Sequence, residues 1–217
     1  MILDPTLFTA YLVAALALAL SPGPDTMFVL ASSASGGSRS GVAATFGISS
    51  GGLVHATLAA LGISALIAAS PVAFDALRIG GALYLLWIGA KALRDFVNGL
   101  RATDATLAAS GEASFWIAYR RGFMTNVLNP KVGIFYVAFL PQFANPELGH
   151  IPLQIFLLGL THNIIGSVWL VALSSLSGRA AQAFSRNPRI RAWLDGIAGL
   201  VYVALALRIF VLDRRPA

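Results

Sequence analysis

Cysteine is absent from the 217-residue chain. That absence excludes disulfides, thiolate metal centres and any membrane thiol relay in one step. Charge is scarce as well: 11% of residues are Asp, Glu, Lys or Arg, against about 25% in an ordinary soluble domain. So few charges cannot clothe a water-facing surface, and with 57% hydrophobic residues the composition is that of a membrane protein. The segment 42–74 carries no charged residue at all, although about 20 apolar residues suffice for a helical span. A basic leader is missing too. Met1-Ile2-Leu3-Asp4-Pro5 offers no positive charge before the apolar run, which continues past the peptidase-like Ala17-Leu18-Ala19, so the first span is expected to be retained.

What is present excludes further classes. The net charge of +6 does not point to nucleic acid, because the basic residues fall in short segments between apolar runs and are not interleaved with exposed aromatics. Three histidines, His55, His150 and His162, supply a soft metal poorly, so no metal and no cofactor is expected. Serines near a histidine, Ser49, Ser50 and Ser167, are weak evidence for an intramembrane hydrolase in a chain this rich in serine. The chain is not read as an enzyme.

Six spans can be placed, at about 6–31, 42–69, 72–97, 122–143, 151–175 and 190–212. The fold class is therefore an all-α integral membrane protein. Arg39, then Lys91, Arg94, Arg101, Arg120 and Arg121, then Arg179, Arg186, Arg189 and Arg191 all fall on one side of the membrane. Arg78, Arg208, Arg214 and Arg215 fall on the other. The positive-inside rule then makes both termini extracytoplasmic, with the Arg214-Arg215 tail as a contrary sign. Residues 98–114 are rich in Gly, Ser, Thr and Ala and read as a cytoplasmic linker between a first three-helix unit, 1–97, and a second, 115–217. Phe115-Trp116 and Tyr119-Arg120-Arg121 form an interfacial anchor where the second unit enters the bilayer.

The stretch Ser21-Pro22-Gly23-Pro24-Asp25-Thr26 interrupts the first span. Pro22 and Pro24 remove backbone donors and disfavour the helical conformation in the residues before them, so the helix must open near 21–23. Freed backbone groups and a carboxylate inside the bilayer are tolerated only against protein or a hydrated cavity. The fourth span has its own interruption at Asn126-Val127-Leu128-Asn129-Pro130-Lys131. Pro24 precedes His55 by 31 residues and Pro130 precedes His162 by 32. Gly81 and Tyr84 share the spacing of Gly199 and Tyr202. Two units of three spans each must lie in opposite orientations, which predicts two inverted three-helix repeats with broken first and fourth helices.

Counting ~1.5 Å per residue sets Lys131 roughly 14 Å and Asp25 roughly 9 Å from the cytoplasmic ends of their spans, so the two can meet. One reading is a structural ion pair between two kinked helices. The other is a binding site in which half-helix amides and Lys131 attract a carboxylate while Asp25 and freed carbonyls attract an ammonium. A zwitterion fits the second. Pro22, Gly23, Pro24, Asp25, Asn129, Pro130 and Lys131 are the substrate-binding candidates. His55 shares a helical stripe with Gly47, Gly51, Leu58 and Gly62, and His162 shares one with Gly159 and Gly166. With Asp25, the two histidines are proton-coupling candidates, though packing across helices is the plainer role. Asn126, Asn163, Tyr84 and Tyr202 are secondary candidates. Phe135, Tyr136, Phe139 and Trp87 read as core or lipid contacts.

Ser21-Pro22-Gly23-Pro24-Asp25, the Gly47 to His55 stretch, Tyr84-Leu85-Leu86-Trp87-Ile88-Gly89, and Asn129-Pro130-Lys131 through Phe139-Leu140-Pro141-Gln142-Phe143 together resemble the LysE/RhtB family of bacterial amino-acid exporters. The resemblance covers nearly the whole chain. It implies export of amino acids from the cytoplasm in exchange for protons, in the bacterial inner membrane, with lipid as the other partner and room for a homo-oligomer. Asp25 is the only acid read as lying deep in a span, which favours neutral substrates such as homoserine, threonine or branched aliphatic amino acids. The alternatives are an exporter of a metal or other toxic ion, or a non-transporting membrane assembly protein.

Overall fold

The computed structural model describes residues 2–99, 114–175 and 187–212, among which all regular structure is helical. The helices are α1 (Pro5–Leu20), α2 (Pro24–Ala69), α3 (Pro71–Gly99), α4 (Phe115–Val127), α5 (Pro130–Ile134), α6 (Ile151–Ser174) and α7 (Pro188–Leu212). A π turn (Phe135–Phe139) and a 3-10 turn (Leu140–Phe143) prolong α5. The interior of the expected linker, 100–113, lies outside the described residues.

Proline sets where these helices start. α1, α2, α3, α5 and α7 each begin on one, where the missing N–H costs nothing and φ is already helical. Asp4 caps α1 by accepting from the amides of Thr6 (2.9 Å) and Leu7 (3.1 Å), and takes a third bond from Asn145. The Leu7 amide above all, then Asn145, hold this exposed carboxyl below its usual range. α1 stops at Leu20 because Ser21, ahead of Pro22, is extended (φ −66°, ψ 121°). The fourth span is interrupted as well: α4 ends at Val127, α5 restarts at Pro130, and the two segments are bent by 50°.

The loop expected between the first two spans does not form. α2 runs on to a single non-helical residue, Gly37, at φ 71° and ψ 179°. Ser33 and Gly41 would stand ~12 Å apart along a continuous helix, yet a Cβ on Gly41 would collide with the Ser33 hydroxyl. The chain therefore doubles back at Gly37, and α2 is two helices, 24–36 and 38–69, joined by one residue. That conformation is open essentially to glycine alone.

Glycine also lets the helices touch. A Cβ on Gly47 would strike the Tyr119 carbonyl and one on Gly122 the Ala44 carbonyl, so α2 and α4 meet backbone to backbone. Gly159 packs on Ala56, and Gly89 and Gly199 face each other between α3 and α7. The stripe expected for His55 is only half right: Gly62 has open space around it and Leu58 is exposed. Past His55 the packed side of α2 is instead Ala56, Ala59, Ala60 and Ile63, all buried.

Two apolar clusters fill the interior. The larger gathers Tyr11, Phe135, Phe139, Phe143, Ile155 and Leu158; Tyr11 meets Phe143 edge-on, ring centroids 5.4 Å apart, and donates its hydroxyl to the Leu158 carbonyl. The smaller holds Val29, Leu30, Ala44, Ile48, Leu170 and Leu173. Outside, Val13, Leu16, Leu61, Val168 and Leu200 are exposed, an apolar surface suited to lipid. By length and composition, two helices among the described residues can cross a bilayer, and three if the bent α4–α5 pair is one span.

Candidate functional site

The two breaks meet at a cavity of about 80 Å³ that touches both apolar clusters. That is several times the ~10–15 Å³ a single water requires. Its polar lining comes from Ser21, Asp25 and Thr26 at the first break and Asn126, Asn129 and Lys131 at the second, with Tyr136, His162, Asn163 and Ser167 completing it.

Each break holds the charge of the other. Asp25, in the first turn of α2, accepts from Asn126 Nδ2 at 2.7 Å and Asn129 Nδ2 at 3.2 Å. Asn129 does two jobs, because its Oδ1 also caps α5 by accepting from the Lys131 amide at 3.1 Å. The Lys131 ammonium donates to Ser21 Oγ at 3.1 Å and lies against Gly23. Placing opposite charges in one cavity is the arrangement the spacing foresaw. The direct partners differ from the simple ion pair: two amides stand on Asp25 and a hydroxyl on Lys131. The amides of α5 are also committed, since the Asn129 carbonyl takes those of Val132 and Gly133. At this break Lys131 is the cationic group.

A second acid enters the site. Asp195, on α7, accepts from Ser21 Oγ at 3.4 Å. Asp195 and Asp25 both lie near enough to attract the Lys131 ammonium, and Lys91 near enough to repel it. The premise that Asp25 is the only acid within reach is thus corrected. The missed signal was helical: Asp195, Gly199 and Tyr202 are i, i+4 and i+7 on one face of α7, and only the last two were paired.

The remaining candidates divide. Pro22, Pro24 and Pro130 shape the breaks but do not line the cavity. His162 lines it, half-buried, with a buried Nδ1 lacking a partner and its ring 4.7 Å from Phe135. His55 stands behind the wall, with Nε2 3.2 Å from the Asn126 carbonyl and its ring against Gly133. Both histidine rings lie 5.8 Å from Tyr136, whose hydroxyl donates to the Gly159 carbonyl. Tyr136, read as core from sequence, is therefore also cavity wall. Asn163 lines the cavity and donates to the Ser49 carbonyl. Tyr84 is half-buried beside Trp87, away from the cavity, and Tyr202 is buried near Ser21 and Asp195. Among the described residues no three His, Asp or Glu side chains gather as a metal site would need.

A model of the LysE type translocator family matches residues 16–212. The chain is 31% identical over 212 residues to the leucine efflux protein of Salmonella typhimurium, covering 95% of each chain. It is 30% identical over 202 residues to an uncharacterized membrane protein of Pseudomonas aeruginosa, covering 93% of this chain and 94% of that one. An uncharacterized membrane protein of Vibrio cholerae is 30% identical over 205 residues, covering 94% and 97%. No solved structure matches.

Proposed function

This chain belongs to the LysE type translocator family, a family of transporters and not of enzymes, and from that premise we propose that it exports amino acids from the cytoplasm in exchange for protons. The observation that carries this reading is the single cavity in which Asp25 and Lys131 arrive from two separate helix breaks. A free α-amino acid carries one charge for each: its ammonium suits Asp25 and its carboxylate suits Lys131. Leu18, Ile48, Val132 and Leu170 in the wall suit an aliphatic side chain, which favours neutral substrates of the leucine, threonine or homoserine type. Similarity to a leucine efflux protein supports the same choice.

The broken first and fourth helices belong to six spans in two inverted repeats, 1–97 and 115–217, with 98–114 as a cytoplasmic linker and both termini outside the inner membrane. Substrate reaches the paired breaks from the cytoplasm and leaves outward as the two halves rock, and a proton returns on Asp25 or a histidine. Counterflow in proteoliposomes against a panel of labelled amino acids tests this. Leucine-like substrates should exchange in preference to lysine and arginine; exchange of the cationic pair alone, or of no amino acid, would refute it.

A further inference from the structure

We propose that Asp195 holds Lys131 through Ser21 and so stands in for the carboxylate of the substrate. The inference rests on the amino-acid reading above and names what that reading leaves open: how an ammonium inside the bilayer is kept when nothing is bound. An isolated charge at such a place is costly, and a partnered one is not. In this structure the Lys131 ammonium donates to Ser21 Oγ at 3.1 Å and Ser21 Oγ donates onward to Asp195 Oδ1 at 3.4 Å. Ser21 is 6% exposed, and its hydroxyl lies between the two. The oxygens of Asp25 take Asn126 and Asn129 instead.

Among the described residues, the charged and titratable groups around Lys131 and Ser21 include Asp25 on α2, Lys91 on α3, Tyr136 in the cavity wall, Asp195 and Tyr202 on α7 and His162 on α6. Asp195 is the one joined to it by a hydrogen-bonded path that avoids the Asp25 end of the cavity. The consequence is a rule for substrates. Lys131 leaves Ser21 and Asp195 only for another anion, so the site takes amino acids with a free carboxylate and turns away their amides and esters.

Amine reactivity reads the tether directly. An N-hydroxysuccinimide acetate ester acetylates only the neutral amine, and a neighbouring carboxylate favours the charged form. Purified protein in detergent, without substrate, is treated with the reagent and acetylation of Lys131 is followed by peptide mass spectrometry. Asp195→Asn should speed acetylation roughly tenfold, one unit of proton affinity being a factor of ten. Ser21→Ala should speed it by a smaller factor, and Asp195→Glu should return it towards the wild-type rate. Wild-type rates in both Asp195→Asn and Ser21→Ala overturn the proposal; should Asp195→Asn fail to fold, an unchanged rate in Ser21→Ala does so alone. Added leucine should slow acetylation in Asp195→Asn by supplying the missing carboxylate, and by more than leucine amide, whose amine also consumes the reagent but which brings no carboxylate. If the variants react faster but leucine has no effect, the tether stands and the leucine-type reading is what fails.

Discussion

At the scale of single residues, the site works by giving each charge a partner from the opposite break. Asp25 keeps two amide donors and Lys131 one hydroxyl, so neither is bare and neither is neutralised at close range. A hydrogen bond to a charged group contributes about 1.5–3 kcal/mol, which corresponds to roughly 10- to 100-fold in binding. Asp25→Asn, which keeps the shape and removes the charge, should weaken leucine counterflow by that factor at unchanged protein yield. Asn129→Ala should weaken it too and also loosen α5, since the same side chain caps Lys131. Unaltered counterflow in Asp25→Asn would make the carboxylate structural. The charges themselves were legible in the sequence, because a carboxylate and an ammonium inside apolar runs are conspicuous. Asn126 and Asn129 were legible as candidates at the second break, but their bonds to Asp25 and the place of Asp195 were not, because these depend on which helix faces which. Asn126, Asn129 and Asp195 meet the two charges only through tertiary packing.

At the scale of elements, the chain is punctuated by proline and glycine. The openings at 21–23 and 128–129 were legible, since proline's effect on its own residue and the one before it is local. The turn at Gly37 was not. Gly36-Gly37-Ser38 reads as the middle of a loop, and nothing local says that one residue reverses the chain while helix continues on both sides. That economy has a cost in tolerance. A Cβ at φ 71° and ψ 179° is strained by about 1–3 kcal/mol, so Gly37→Ala should lower the thermal midpoint in detergent although open space surrounds the position. Gly62→Ala, also in open space but inside a regular helix, should be neutral or slightly stabilising. Equal midpoints for the two variants would contradict the one-residue turn.

At the scale of the whole molecule, the class was legible from composition alone: an all-helical chain with an apolar exterior. The inverted arrangement proposed for its halves is a matter of topology and needs its own test. The natural lack of cysteine makes that test clean, since a single introduced cysteine is the only thiol. Cysteine placed at Ser110 in the linker should react with a membrane-impermeant maleimide only in inside-out vesicles, and cysteine at Ile2 only in right-side-out cells. Labelling of both from the same side would break the proposed orientation, because an even number of spans before the linker would then be required. The account's central claim is that the two breaks bind the two ends of one molecule, and counting those ends tests it most directly. Competition against labelled-leucine counterflow should be measured with leucine, with leucine amide, which lacks the carboxylate, and with 4-methylpentanoate, which lacks the amine. Unlabelled leucine should compete fully and each one-ended analogue at least about tenfold more weakly, one lost charged contact each; analogues that compete as well as leucine would contradict a site built from Asp25 and Lys131 together.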